Sequence, residues 1–330
     1  MNFDTSEEQQ LLADSVRRFL QKDYAFEARK GILASPQGWS ERVWDSFAGM
    51  GLLGLPLPAE HGGFGGGAVD LMGVMDAFGE ALVLEPYVPT VMAAFAIARG
   101  GSAKLKEAVL PAVAQGRIRL AFSADGRQVL GAAGADKLVV RSGDQLVVAE
   151  ANEVAVKPYR VLDGRAAADI ELKGRPAERL EGGVRLLEQV LDFAAALACA
   201  EAVGAMQYAC DATLEYLKTR KQFGVPIGTF QALQHRMVDM VIATEQARSM
   251  ACLACSKADQ AVEAERARAV SAAKIKIADA ARHVSQEAIQ LHGGMGMTEE
   301  LKVSHTFRRL TFLAQQFGDA DYHLERFARL

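Results

Sequence analysis

Apolar residues recur three and four positions apart in the opening stretch QQLLADSVRRFL, and the same spacing returns in ERVWDSFAGM, AVDLMGVMDAFGEALVL, VPTVMAAFAIARG and SAKLKEAVLPAVAQG. Glycines or prolines mark the boundaries of these runs, so the pattern predicts a helical unit over residues 1–115. Thr5 followed by Glu8 reads as a capping box for the first helix. From about Arg117 the period changes. IRLAFSA, KLVVRSG, QLVVAEA, EVAVKPYRVL and ADIELKG are short β-branched runs parted by Gly, Asp and Asn, which predicts a small β unit over 116–176 that ends near Gly174. Helical spacing resumes at Val184 and persists through three long segments and a shorter one past Glu299. That pattern predicts an antiparallel four-helix bundle over 177–330. The expected class is mainly α with a small β domain between two helical ones.

Composition narrows what such a chain does. Half of the 330 residues are hydrophobic and the formal net charge is -4, with basic residues scattered rather than striped, which excludes a nucleic-acid binder. The start, MNFDTSEEQQLL, is acidic where a signal peptide is basic and then apolar, so a cytoplasmic protein is expected. The most apolar run, around Phe193 to Met206, carries Glu201 and is too short to span a membrane. Four cysteines are too few for a disulfide framework, and the Cys252–Cys255 pair has no second pair or nearby histidine to make a metal site. The six histidines show no ligand spacing and read as surface or cap residues.

Two breaks in the helical text carry chemistry. LKTRKQFGVPIGTFQALQH, residues 217 to 235, sets Arg220, Phe223 and Gln231 in and just after one loop. A guanidinium that forks onto phosphate oxygens, a ring for stacking and an amide together suit a nucleotide, and helix N-terminal amides favour the same negative charge. In QLHGGMGMTEE, residues 290 to 300, Gly293, Gly294 and Gly296 let backbone approach a ligand closely. With SEEQQLLADSVRRFL and LLGLPLPAEHGGFGGG, these four segments lie in register with the acyl-CoA dehydrogenase family, which the chain resembles along its whole length. The resemblance implies an α, β, α architecture, FAD, and α,β-dehydrogenation of a CoA thioester, with electrons passing to an electron-transfer flavoprotein. Carried over by position, Arg220 binds the FAD pyrophosphate, Phe223 and Gln231 lie near the adenosine half, and Gln290, Gly293 and Gly294 line the same stretch. In this family both segments reach across a dimer interface to the neighbour's FAD.

The departures from the family are informative. The glutamate base that most members carry beyond the second glycine turn falls on Phe317, and the flavin-contacting positions after it fall on Asp319 and Asp321. The alternative base and its arginine, on the first bundle helix, fall on Ala194 and Ala195. Asp192 lies about 200° around a helix from the base position and reads as a solvated or hydrogen-bonded surface group, though it is a candidate base. Glu201 reads as a carboxylate with a structural partner. Arg308-Arg309 resembles the family's Arg-Asp pair with the aspartate replaced, an altered interface salt bridge, a contact to a CoA phosphate or a solvated charge. LAFSADGRQVLGAAGADKLVV runs from the first strand directly into what resembles a later one, as if intervening strands were deleted. Loss of base and flavin strands beside retained trans segments implies a hetero-oligomer. The resemblance is to the short subunit of the α2β2 acyl-CoA dehydrogenases of bacterial steroid side-chain catabolism, whose longer paralogous subunit carries the base. A self-sufficient homo-oligomer using Asp192 or another carboxylate as base, or a non-catalytic scaffold, are the alternatives.

Overall fold

The computed structural model describes residues 6–174, 178–260 and 262–330. Thr5 lies outside them, as do Pro176 and Ala177 at the expected end of the β unit. In chain order the elements are α1 (Glu7–Asp23), α2 (Phe26–Ala34), α3 (Glu41–Gly49), α4 (Ala68–Ala81), α5 (Tyr87–Gly100) and α6 (Ala103–Ala114). Seven strands follow: β1 (Leu120–Ser123), β2 (Val129–Leu130), β3 (Lys137–Ser142), β4 (Gln145–Glu150), β5 (Val154–Arg160), β6 (Ala166–Leu172) and β7 (Glu178–Leu180). Then come α7 (Gly183–Thr219), a hairpin of β8 (Lys221–Gln222) and β9 (Val225–Pro226), α8 (Gln231–Ala258), α9 (Glu263–His292), α10 (Lys302–Gln315) and α11 (Ala320–Ala328). The box that starts α1 is Ser6 with Gln9, whose side chains each accept from the other's backbone N–H. The helix thus begins one residue later than a Thr5–Glu8 cap requires.

The chain divides into two compact units, Met1–Phe26 with Met72–Val83 and Ala195–Leu330, and Glu27–Leu71 with Leu84–Ala194. In the second, two sheets of order β1-β3-β4-β7 and β2-β6-β5 enclose Ala121, Val129, Leu138, Val140, Val147, Ala149, Val154 and Ala168. Alternation places these residues on inward faces. β1 pairs parallel with β3, and β3 and β4 form a hairpin in the register Leu138↔Ala149 and Val140↔Val147. The outer edge of β1 meets α5, where the Thr90 hydroxyl donates to Leu120 O at 3.0 Å and accepts from Leu120 N at 3.3 Å. From Tyr87 to Ile97 every residue of α5 is buried. Its Phe95 ring stacks on Phe193 at 4.3 Å, with the Arg99 guanidinium 3.6 Å from the Phe95 centroid.

The first unit is a bundle in which α9, rich in alanine, packs against α8, α10 and α11. The last helical stretch past Glu299 is two helices, α10 and α11, parted at Phe317 and Gly318, with φ of 61° and 102°. The Asp319 side chain then caps α11 by accepting from Tyr322 N at 2.8 Å. Lys274, buried on α9, donates to Leu313 O at 2.9 Å and Gln316 O at 2.7 Å, satisfying carbonyls at the end of α10. Burial draws its pKa down to about 8, a shift moderated by nearby Asp319. His323 holds the same turn, its Nε2 lying 3.0 Å from Phe317 O and its Nδ1 3.2 Å from Ser271 Oγ.

Helices α4 and α7 meet through two glycines. A Cβ on Gly204 would lie 1.8 Å from Asp76 O, and one on Gly79 would lie 1.8 Å from Glu201 O. Backbone-to-backbone approach of this kind needs residues without side chains. Asp76 receives Arg17 at 2.9 Å and Arg248 at 3.2 Å, tying α1 and α8 to the same crossing.

Candidate cofactor-serving site

The loop after α7 is a tight hairpin. Lys221 pairs with Pro226 and Gln222 with Val225, leaving Phe223 and Gly224 as the two turn residues, both at positive φ (53° and 82°). Positive φ at both centres is the requirement of a type I′ turn, which favours Asn-Gly; phenylalanine there is strained at a cost of about 1 kcal/mol or more. The strained ring is 90% exposed, edge-on to Phe230 at 6.1 Å. Arg220 opens the hairpin, and its carbonyl accepts from Ile227 N at 2.8 Å. Its guanidinium is exposed and takes no partner among the described residues.

Helix α8 begins at Gln231, exposed, behind an N-cap, Phe230, that offers no side-chain acceptor. The first-turn amides are left without a side-chain cap, a setting that suits an anion. Helix α9 ends at the same place. The His292 ring stacks on Tyr216 of α7 at 4.5 Å, and Arg236 of α8 pairs with Glu287 of α9. Burial lowers the His292 pKa, so the stacked ring is neutral. Gln290 is exposed, and Gly293, at φ 58°, and Gly294 have no atom within 4 Å of a notional Cβ. These contacts bring Arg220, Phe223, Gln231, Gln290, Gly293 and Gly294 to one end of the bundle.

The positions that could carry a base are different in kind. Asp192 is 1% exposed and engaged with other groups, so the surface reading of this residue is wrong; the side chain is held inside, next to the buried Phe193. Ala194 and Ala195 are buried, and Phe317 occupies the left-handed turn described above. Glu201 is buried and paired, as expected. Its partner is Arg309, also buried, which further donates to Val83 O at 2.8 Å and Leu82 O at 3.3 Å. A solvated Arg309 is therefore excluded, while Arg308 makes a surface pair with Glu299 at 2.7 Å that lowers the Glu299 pKa. Histidines 292, 305 and 323 are buried rather than at the surface. Nothing in the local sequence joined Glu201 to a residue so far along the chain. The signal available was a lone carboxylate on an apolar helix face.

Among the described residues no group of His, Cys, Asp and Glu side chains could hold a metal ion, and no helix is long and apolar enough to cross a membrane. Cys255 is buried and its thiol donates to Ala196 O at 3.6 Å, in keeping with a packing role for the Cys252–Cys255 pair.

Comparison with known proteins places this geometry. The acyl-CoA dehydrogenase N-terminal domain matches residues 6–117 and the acyl-CoA dehydrogenase C-terminal domain residues 181–330. Acyl-CoA dehydrogenase IpdE2 of Mycobacterium tuberculosis is 31% identical over 311 residues, covering 94% of this chain and 92% of that protein. The solved Tcur3481-Tcur3483 steroid ACAD (G363A variant) superposes with a TM-score of 0.91 at 27% identity, covering 98% of this chain and 97% of that one. The ChsE4-ChsE5 complex from Mycobacterium tuberculosis shares the fold, with a TM-score of 0.90 at 24% identity over 100% and 98% of the two chains. With both terminal domains matched and a relative of this identity along nearly its whole length, the chain belongs to the acyl-CoA dehydrogenase family.

Proposed function

We propose that this chain is the cofactor-completing subunit of a heteromeric, FAD-dependent acyl-CoA dehydrogenase that desaturates a bulky acyl-CoA of the steroid side-chain class in the cytoplasm. The observation that carries the reading is the hairpin at Phe223. A strained turn presents to solvent a ring whose one aromatic contact is Phe230 and a guanidinium without a partner among the described residues. Such strain persists where a ligand or partner uses it. The donor set fits the adenosine diphosphate half of FAD: Arg220 for phosphate, uncapped α8 amides for the same charge, Phe223 for stacking, Gln231 and Gln290 as amides, and open backbone at Gly293 and Gly294.

When bound, FAD supplies the hydride acceptor for the substrate's β-carbon. The chain's own residues bind and orient the nucleotide end from across a subunit boundary and move no proton. The two base positions hold Phe317 and Ala194, the arginine position beside the latter holds Ala195, and removal of an α-proton requires a carboxylate worth roughly 10²- to 10⁴-fold in rate, which the longer subunit supplies. Asp192, the carboxylate named for the self-sufficient alternative, is buried and already engaged. Support for a heteromeric steroid enzyme comes from the paired names of the Tcur3481-Tcur3483 steroid ACAD and the ChsE4-ChsE5 complex. The electron acceptor under this reading is an electron-transfer flavoprotein.

Coexpression with each longer acyl-CoA dehydrogenase of the same genome, followed by flavin quantitation and dehydrogenation of steroid-derived acyl-CoAs, tests the proposal. Flavin and turnover should appear only in the two-component complex. A yellow, active preparation of this chain alone overturns it.

A further inference from the structure

We infer that Tyr216 and His292 are the positioning pair of the nucleotide-serving end: their ring stack sets the spacing between Arg220 and the Gly293–Gly294 turn, so that both reach one dinucleotide together. The inference rests on the functional reading above and names two residues that act on FAD only through others.

The two segments follow different helices, and neither is held by packing at its tip. Arg220 and the hairpin residues after it are exposed as far as Val225. No atom lies within 4 Å of a notional Cβ on Gly293 or Gly294. Placement therefore falls to the roots of the segments. The Arg220 N–H donates to Tyr216 O at 2.8 Å, and His292 is joined to Gly293 by a peptide bond. The Tyr216 and His292 rings stack at 4.5 Å with their planes 26° apart. One hydrogen bond, one ring contact and one peptide bond thus connect Arg220 to Gly293. The turn also folds back on the same histidine: a notional Cβ on Gly296 would lie 2.8 Å from Ile289 O and 3.0 Å from His292 Cβ. The Arg236–Glu287 pair joins α8 to α9 and includes neither root.

The histidine is itself held in place. It is buried, and its Nδ1 lies 2.8 Å from Ala288 O. With the ring neutral, Nδ1–H donates to that carbonyl, which fixes the ring's rotation. A neutral imidazole lying nearly parallel to a phenol is a face-to-face contact of set separation. Neither Nε2 of His292 nor the Tyr216 hydroxyl takes a partner among the described residues, so the pair is joined by its faces and by no polar bond. Moving either ring moves the root of one segment relative to the other.

The test uses the complex coexpressed with the longer acyl-CoA dehydrogenase subunit, freed of flavin and titrated with FAD, with native mass and thermal midpoint followed in parallel. Tyr216→Ala and His292→Ala should each weaken FAD on the order of tenfold while the complex keeps its mass. The double variant should lose no more than either single one, because removal of one ring already breaks the pair. Tyr216→Phe and His292→Phe keep two flat faces and should bind FAD as wild type does. Because alanine at these sites risks misfolding, Tyr216→Leu and His292→Leu, which fill space without a flat face, are read beside them and should show the same loss. Lowered midpoints with unchanged FAD affinity in the alanine and leucine variants would mean that the rings only fill the core, which overturns the inference. A double variant whose losses multiply overturns it too, as does loss of FAD in either phenylalanine variant, which would make a polar tip the ligand contact. Arg220→Ala is the reference. If it leaves FAD affinity unchanged, the functional reading falls; if it weakens FAD while the alanine and leucine variants bind normally, only the positioning pair falls.

Discussion

Gly204→Ala is the sharpest test of how the bundle is held. The added methyl would stand 1.8 Å from Asp76 O, 2.6 Å from its carbonyl carbon and 2.9 Å from its Cα, all backbone atoms with no rotamer to escape through. Restoring an ordinary separation of about 3.5 Å means moving α7 from α4 by on the order of 1.5 Å. Overpacking of this sort costs about 1–3 kcal/mol where side chains give way, and more where backbone must. The same shift strains the Asp76 pairs with Arg17 and Arg248 and the Arg309 bonds to Leu82 O and Val83 O. Against this, alanine gains about 1 kcal/mol of helix propensity over glycine. The expected net is a loss of about 3 kcal/mol, seen as a lowered midpoint in urea followed by circular dichroism. Gly31→Ala is the control. That glycine lies in α2 with nothing within 4 Å of a notional Cβ, so the propensity gain stands alone and stability should rise by about 0.5–1 kcal/mol. A Gly204→Ala protein as stable as wild type would refute the close crossing of α4 and α7.

Other tests bear on separate parts of the molecule. Arg309→Met should cost about 3–5 kcal/mol by leaving Glu201 charged and buried, and adding Glu201→Leu should recover most of it, as measured by a double-mutant cycle in denaturant. The Lys274 pKa, near 8 folded against 10.5 for the free side chain, means the unfolded chain binds the extra proton in between. Stability of wild type relative to Lys274→Met should therefore rise by roughly 3 kcal/mol from pH 8 to pH 10.5, and parallel curves would count against burial of the charge. Arg220→Ala should cost the complex about 1.5–3 kcal/mol of FAD affinity by removing charge-assisted bonds, read as flavin per assembled complex. Asp192→Asn should lower stability but leave turnover per bound flavin nearly intact, and a thousandfold fall in turnover would put the base in this chain.

Periodicity alone made most helices legible, because each presents a long apolar stripe. Helix α2 escaped it: FEARKGILA is short, carries Lys30-Gly31 in its middle and has little stripe to read. β7 escaped for a different reason. Its three residues are ordered by pairing with Leu146–Val148 of β4, a partner far back in the chain. At the nucleotide-serving end, residue types and order pointed to a phosphate-binding loop, while the type I′ strain at Phe223 became visible only from backbone angles. The buried charges were least legible. Asp192, Arg309 and the three buried histidines carry polar side chains whose default is solvent, and only tertiary packing reverses that default.

The Thr90 hydroxyl on the margin of β1 has a consequence for how the edge of its sheet is guarded. A strand stripped of its neighbour ordinarily offers bare amides and carbonyls to any passing chain, inviting runaway cross-strand aggregation. Here one alcohol from a helix both gives to and takes from Leu120, doing there what a neighbouring strand's ladder rung would do. An edge occupied in this way at Leu120 leaves a stray strand one place fewer at which to begin pairing.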